Sequence, residues 1–121
     1  MTNHRLTPLE RAILEAICER NPSDRAALEA QFAAATVRSR ENTGVGFFTH
    51  FAVERSSVPA IGGANPRGGP ETKIDGLRNG MGFVLFLDEG YANFLEGYTY
   101  GESTAAINLA TASFEILMDK A

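Results

Sequence analysis

The chain has 121 residues, a formal net charge of −4 at pH 7, and 44% hydrophobic and 21% charged residues. This length predicts one domain, residues 1–121, with a real hydrophobic core, and the composition excludes disorder of the whole chain. Ten acidic against five basic residues in 41–121 argue against nucleic-acid binding, which needs a basic face.

The number of cysteines and the length of the apolar runs indicate where in the cell the protein is located. Cys18 is the only cysteine, so no internal disulfide is expected and a cytoplasmic location is the default. The N-terminus lacks a basic region followed by an apolar core, and no apolar run approaches the roughly 20 residues of a membrane span. We therefore predict a cytoplasmic protein with no membrane partner.

The first third of the chain is typical of two helices. Thr7 can cap a helix, Pro8 suits the first helical position, and Glu10 stands where a capping box requires it. Apolar residues then recur at helical spacing, and Asn21-Pro22 ends the first run. A second apolar stripe follows, so we predict a helix pair within residues 7–36.

The next stretch alternates between polar and strand-forming segments. Residues 38–42 are polar and are predicted to be a connection, whereas residues 43–53 alternate as a strand does. Residues 55–72 hold four glycines and three prolines, which indicates a loop. Loops of this length are usually functional or disordered.

Two turns are predicted in the second half. Asn79-Gly80 is the strongest signal for a two-residue hairpin turn, here joining a short strand, 73–78, to the next one. Asp88-Glu89-Gly90 suits a three-residue hairpin loop, because Gly90 can adopt a positive φ. Pairing Leu87 with Tyr91 across that loop places Glu96 opposite Gly82.

The alternation of side chains assigns the faces of this hairpin. We predict that the more continuous apolar face packs on the helices and that the mixed opposite face meets solvent or another subunit. Residues 103–118 are ambiguous, and a turn of helix followed by a last strand is favoured. The fold predicted is α+β, with an N-terminal helix pair on a mainly antiparallel sheet of four to five strands within residues 43–118. The face assigned to the helices carries Ile74, Met81, Phe83, Leu85, Leu87 and Leu95.

Glu96 and two tyrosines are the first candidate binding residues. Glu96 interrupts an apolar segment, where a carboxylate must find hydrogen-bond partners or its pKa rises. It is either a general acid or partner-binding anchor, or a carboxylate bonded to the backbone or to a tyrosine hydroxyl. Tyr98 and Tyr100 could form an interaction surface, since tyrosine is enriched at binding hot spots, or could simply pack on the sheet.

His50 and Arg67 complete the candidate binding residues. Neither His50 nor the other histidine has a metal-binding spacing, so His50 is more typical of a structural residue. Arg67 lies in the glycine-rich loop, which lacks the Gly-Lys-Ser/Thr sequence of a phosphate-binding loop. No motif identifies a catalytic residue, a metal site or a cofactor.

One segment resembles a known group of sequences. The run Gly82–Leu87, followed by residues 95–101 (LEGYTYG), is similar to a segment shared by small uncharacterised bacterial proteins. In those proteins the second strand is often followed by an acidic residue and Trp-Pro, whereas here Glu102 is followed by Ser103-Thr104. The resemblance covers about a sixth of the chain. It implies an α+β fold and carries no established activity.

Three functions are compatible with these patterns. The first is a non-enzymatic interaction module that binds another protein, or itself as a homodimer, through the mixed sheet face. The second is a small-molecule binder or enzyme with a pocket under the 55–72 loop that joins at least two of Glu96, His50 and Arg67. The third is an immunity-like protein, by analogy with other small acidic proteins.

Overall fold

The computed structural model describes residues 5–117, and within that span it forms two helices and a seven-stranded, antiparallel sheet. The helices are α1, Pro8–Arg20, and α2, Arg25–Ala34, joined by a 3₁₀ turn at Pro22–Asp24. The α+β class and the N-terminal helix pair are confirmed, but the strand number of four to five was too low. The strands are β1 (Thr36–Asn42), β2 (Gly46–Ala52), β3 (Arg67–Gly68), β4 (Thr72–Ile74), β5 (Met81–Asp88), β6 (Tyr91–Thr99) and β7 (Phe114–Ile116).

Two of the additional strands lie where connections were predicted. Residues 38–42 belong to β1, an edge strand that pairs with β2, so the predicted connection is wrong and the sheet begins at residue 36. Only Val37 of β1 is buried, and a strand so exposed shows no alternation in its sequence. The 55–72 loop contains the short strand β3, which pairs with β5.

The main path of the sheet runs β1-β2-β6-β5-β4-β7, with β3 beside β5. Both helices pack on one face, which we call the inner face. Glu10 of α1 reaches Thr49 of β2, and Gln31 of α2 accepts a hydrogen bond from the backbone of Ala92 in β6. All six residues assigned to the helices from the sequence are buried, as predicted: Ile74, Met81, Phe83, Leu85, Leu87 and Leu95.

The β5–β6 hairpin differs from the predicted register by one residue next to the turn and by two residues beyond a bulge. Its loop is the two-residue Glu89-Gly90 turn, in which both residues have positive φ, as a tight hairpin of matching twist requires. Asn93 is the extra residue of a bulge in β6, opposite the Phe86–Leu87 step of β5, and this bulge places both Ala92 and Leu95 on the inner face. Glu96 consequently lies opposite Val84, and the predicted pairing with Gly82 is wrong.

The predicted two-residue turn at Asn79-Gly80 is also wrong. Ile74 pairs with Phe114 of β7, and the one pair between β4 and β5 is Thr72 with Met81. Glu102 accepts hydrogen bonds from the backbone N–H groups of Arg78 and Asn79, each at 2.8 Å, so these donors are not free for a tight hairpin.

In residues 103–117 the predicted strand is present and the predicted turn of helix is not. Turns rather than a helix occupy residues 105–111, and β7 supplies the predicted last strand over Phe114–Ile116. Met118, which the sequence pattern included in that strand, lies outside the described residues.

Glu10 links α1 to the sheet through a buried network. The predicted capping box forms, with Glu10 Oε1 accepting from the Thr7 backbone at 2.8 Å. The same carboxylate accepts from Arg40 at 2.8 and 2.9 Å and from the Thr49 hydroxyl at 2.6 Å. Local chemistry predicted the cap, but the Arg40 and Thr49 contacts depend on distant strands.

The stability of the protein is expected to fall in acid through Glu10. Burial raises the pKa of this carboxyl, but hydrogen bonds from Arg40, Thr49 and the Thr7 backbone, with the charge of Arg40, outweigh burial and hold the pKa below 4.5. A carboxyl with a depressed folded pKa contributes stability above its unfolded pKa and loses it as the pH falls through the folded value. Urea unfolding from pH 7 down to about pH 3 should show a steeper decline for the wild type than for Glu10→Gln. Parallel declines would contradict this.

Candidate functional site

The face of the sheet opposite the helices is uncovered within residues 5–117. We call it the outer face and define it by seven half-buried side chains at the alternate positions of β2, β6 and β5. It includes three candidate binding residues predicted from the sequence, namely His50, Glu96 and Tyr98. Its members are Phe48, His50, Val84, Phe86, Phe94, Glu96 and Tyr98.

Four of these side chains form an aromatic cluster. Phe86 stacks on Phe94 with ring centroids 4.6 Å apart, and Phe48 meets Phe94 edge-on at 5.7 Å. His50 lies 5.5 Å from Phe94 and 6.1 Å from Phe48. Phe94 therefore stands at the centre of the cluster, and His50 packs as a ring among phenylalanines.

Glu96 borders this cluster. Phe48 and Val84 lie directly across from it on β2 and β5, while Phe94 and Tyr98 flank it on its own strand. Within residues 5–117 its carboxylate makes no hydrogen bond or ion pair. The alternative that a backbone group or a tyrosine hydroxyl satisfies Glu96 is therefore not what the structure shows.

The two tyrosines have different surroundings. The Tyr98 ring lies directly over Gly82, and a Cβ at this position would lie 2.4 Å from the ring, so the ring would have to move. Tyr100 is 45% exposed and meets Tyr98 edge-on at 5.8 Å, at the edge of the outer face. Its hydroxyl donates to Glu71 at 2.5 Å, and this bond raises the pKa of Tyr100.

Arg67 lies on the other side of the sheet and is separated from the other candidates. Its side chain is 7% exposed and donates to Asp24 at 2.9 Å and to Asn21 at 2.8 Å. It also donates to the carbonyl oxygens of Gly62 and Ala64, both at 2.6 Å. Arg67 thus ties the 55–72 loop to the joint between the helices, which is a structural role.

Most of the segment that carries the family resemblance has a structural explanation. Gly97 packs under three core side chains, Gly101 adopts a positive φ, and the Thr99 hydroxyl donates to the Glu102 carbonyl oxygen at 2.6 Å. Leu95 is fully buried. Glu96 is the member of this segment that packing and hydrogen bonding do not explain.

Replacing Gly97 with alanine is expected to destabilise the protein by about 1–3 kcal/mol, because the added methyl group overpacks the core. An ideal Cβ at this position would lie within 2.9 Å of side-chain atoms of Phe47, Met81 and Phe83. Gly62→Ala is the matched control, since a Cβ there meets nothing within 4 Å. Urea unfolding should place Gly62→Ala within about 0.5 kcal/mol of the wild type. Equal losses in both variants would contradict the packing argument.

A cavity also lies between α1 and α2, away from the outer face. It has a volume of about 380 Å³, a floor that includes Leu14, Cys18 and Phe32, and a charged rim. Burial raises the pKa of the Cys18 thiol to about 11, so the thiol is protonated at neutral pH and is a poor nucleophile. The rim residue Arg25 already pairs with Glu29 at 3.2 Å. The thiol in this cleft is therefore not activated.

The phenylalanines of the outer face were not singled out from the sequence as site residues. Each alternates with buried neighbours, as in Phe48-Thr49-His50, and so shares the signal of ordinary strand packing. What makes them a cluster is the pairing of β2 with β6, which the chain order does not reveal. The available signal was the spacing within each strand: Phe48 and His50 on β2, and Phe94 and Glu96 on β6, each place an aromatic and a polar residue two positions apart and so on the same face.

Over residues 5–117, no three His, Cys, Asp or Glu side chains are arranged to hold a metal ion. None of the helices in the same span is long and apolar enough to cross a membrane. The resemblance to small bacterial proteins stays a prediction, since no family model, curated protein or solved structure matches this chain.

Proposed function

We propose that this protein is a non-enzymatic interaction module that binds a protein partner through the outer face. The observation that carries the proposal is the aromatic cluster of Phe48, His50, Phe86 and Phe94, which no helix or loop of residues 5–117 covers. A contiguous apolar patch bordered by polar groups is characteristic of interaction surfaces. Aromatic residues also dominate binding hot spots.

The dimensions of the outer face suit a segment of a protein partner. The three strands that carry it, β2, β6 and β5, are spaced by about 4.8 Å and cover a width of roughly 15 Å, and strands of about eight residues run roughly 26 Å. The face therefore measures on the order of 400 Å² in projection, and side-chain relief makes its accessible area larger. A standard protein–protein interface buries about 800 Å² on each side, so the outer face has the size of the central part of such an interface.

The edges of the sheet are less suited to binding. The β1 edge carries Arg38, Arg40 and Glu41 and a bulge between Val37 and Ser39, features that oppose the addition of another strand. The other end of the main path is β7, which has three residues. Binding by extension of the sheet is therefore disfavoured relative to binding on its face.

The alternative of a pocket under the 55–72 loop has less support. It requires at least two of Glu96, His50 and Arg67 in one cavity, yet Arg67 faces the helices while Glu96 and His50 lie on the outer face. A ligand beneath the loop could not contact both sides of the sheet. We therefore prefer the interaction module.

Site-specific photo-crosslinking tests the proposal. A benzoylphenylalanine at Val84, on the outer face, should give a discrete cross-linked product in native lysate, whereas the same group at Ala33, exposed on α2, should not. Adding Phe94→Ser to the Val84 probe should abolish the product, because it removes the centre of the cluster. Equal products from both positions, or none from Val84, would overturn the proposal.

A further inference from the structure

Glu96 constrains what can bind to the outer face. Its carboxylate has no cationic or hydrogen-bonding partner within residues 5–117, and aromatic or aliphatic side chains surround it. A partner that covers the face removes water from this carboxylate. Burying an uncompensated charge is strongly unfavourable, so a tight partner must bring a counter-charge to Glu96.

The neighbours of Glu96 favour a cation held on an extended side chain. Phe48, Phe94 and Tyr98 flank the carboxylate and offer ring faces and edges around it. Ammonium and guanidinium groups bind to aromatic faces, and a guanidinium also stacks on a ring while it bonds a carboxylate. An arginine or lysine side chain can therefore pair with the Glu96 carboxylate and pack on a neighbouring ring at the same time.

The wider charge distribution on this side of the sheet is acidic as well. Lys73 lies opposite Glu115, and Glu71 accepts from Tyr100, so the β4–β7 edge has no excess positive charge. Arg38 lies on the opposite edge, beside His50. Such a surface attracts a basic partner by complementarity. The carboxylates on this side are Glu41, Glu71, Glu96 and Glu115.

A second copy of the chain fits this surface poorly. In a twofold dimer the same patch meets itself, so a residue near the centre of the face lies close to its own counterpart. Glu96 is on β6, and the strands that carry Arg38 and Lys73 are each two strands away, roughly 10 Å. Face-to-face packing would therefore bring two carboxylates together without a nearby cation.

We propose that the outer face binds a protein segment that presents one arginine or lysine between apolar residues, with the cation on Glu96 and the apolar residues on Phe48, Phe86 and Phe94. This inference rests on the proposed function and specifies its partner. The cationic group contacts the Glu96 carboxylate and the ring of Phe48 or Tyr98. The flanking residues bury the remainder of the aromatic cluster.

Selection from a phage library of random dodecapeptides tests this inference, with the complete wild-type chain as the immobilised target. Selected peptides should be enriched in one arginine or lysine flanked by apolar residues. Glu96→Gln should weaken a selected synthetic peptide by at least about tenfold, because a charge-assisted hydrogen bond is lost. Glu15→Gln is the matched control, an exposed carboxylate on α1 and therefore on the other side of the sheet, and should change affinity less than about twofold.

A charge swap distinguishes a direct contact from a general effect on the fold. Glu96→Arg should lose the basic peptide and gain affinity for the same peptide with its cation replaced by glutamate. NMR shifts of the wild type should map the peptide to residues of the outer face. Recovery of binding in the swapped pair would support a contact between the two groups.

The outcomes separate this inference from the proposed function. Peptides that shift outer-face resonances but lack a cation, or that tolerate Glu96→Gln, would overturn the cation assignment and leave the interaction module standing. The same holds if light scattering shows a dimer whose formation shifts those resonances. Selected peptides that map elsewhere, or no selected peptides, would overturn both.

Discussion

Replacing Glu10 with alanine is expected to lower the free energy of unfolding by about 3 kcal/mol, because it removes one partner of a buried ion pair. Glu10 is 2% exposed and accepts from Arg40, from the Thr49 hydroxyl and from the Thr7 backbone. Without the carboxylate, Thr49 keeps a buried hydroxyl without its acceptor. Arg40 retains partial access to water, with 32% of its side chain exposed, which keeps the loss at the lower end of the range.

Glu15→Ala is the matched control for this prediction, since Glu15 lies on α1 but is exposed. It changes the same helix by the same substitution and should alter the free energy of unfolding by less than about 0.5 kcal/mol. Urea unfolding at pH 7 measures both variants. A loss below about 1 kcal/mol in Glu10→Ala would show that the network stabilises little beyond an ordinary helix cap.

Glu10 also illustrates which parts of the fold the sequence determines locally. Thr7, Pro8 and Glu10 specify the start of α1 through contacts within four residues, so the capping box could be predicted. The second role of Glu10, as the acceptor for Arg40 and Thr49, depends on where β1 and β2 lie. A single sequence does not supply those positions.

The hairpins show the same limit. Gly90 lies in a turn, as predicted, but a two-residue and a three-residue loop both accept glycine there. The structure uses the shorter loop, with Glu89 also at positive φ. The Asn79-Gly80 signal was overridden by Glu102, which bonds the neighbouring N–H groups from 23 and 24 residues away. Long-range hydrogen bonds thus outweighed local turn preference.

For a related reason, only part of the candidate site could be predicted from the sequence. Glu96 can be predicted as a site residue because a carboxylate among apolar residues needs a partner whatever the register of the strands. Its neighbours do depend on register, so the prediction placed Gly82 where the structure has Val84. The structural role of Arg67 cannot be predicted in this way, because a cation in a glycine-rich loop gives no sign that it will be buried against Asn21 and Asp24.

Phe94→Ser is expected to weaken the complex with the cross-linked partner by at least about 30-fold, the loss typical of a binding hot spot. Phe94 is the residue through which the aromatic cluster is connected, since Phe48, His50 and Phe86 all contact its ring. Removing it takes away its own contact area and also the support that orients the three neighbouring rings. Isothermal titration against the purified partner measures the loss.

Val45→Ser is the matched control, because Val45 is 63% exposed and lies in the turn between β1 and β2, outside the outer face. It removes an exposed apolar side chain without disturbing the cluster and should leave affinity within about twofold of the wild type. Phe94 is half-buried, so its replacement should cost only about 1 kcal/mol of unfolding free energy and leave the protein folded in the titration. A similar loss of affinity in both variants would mean that the partner recognises general surface hydrophobicity. A loss confined to Phe94→Ser would locate the interface on the outer face.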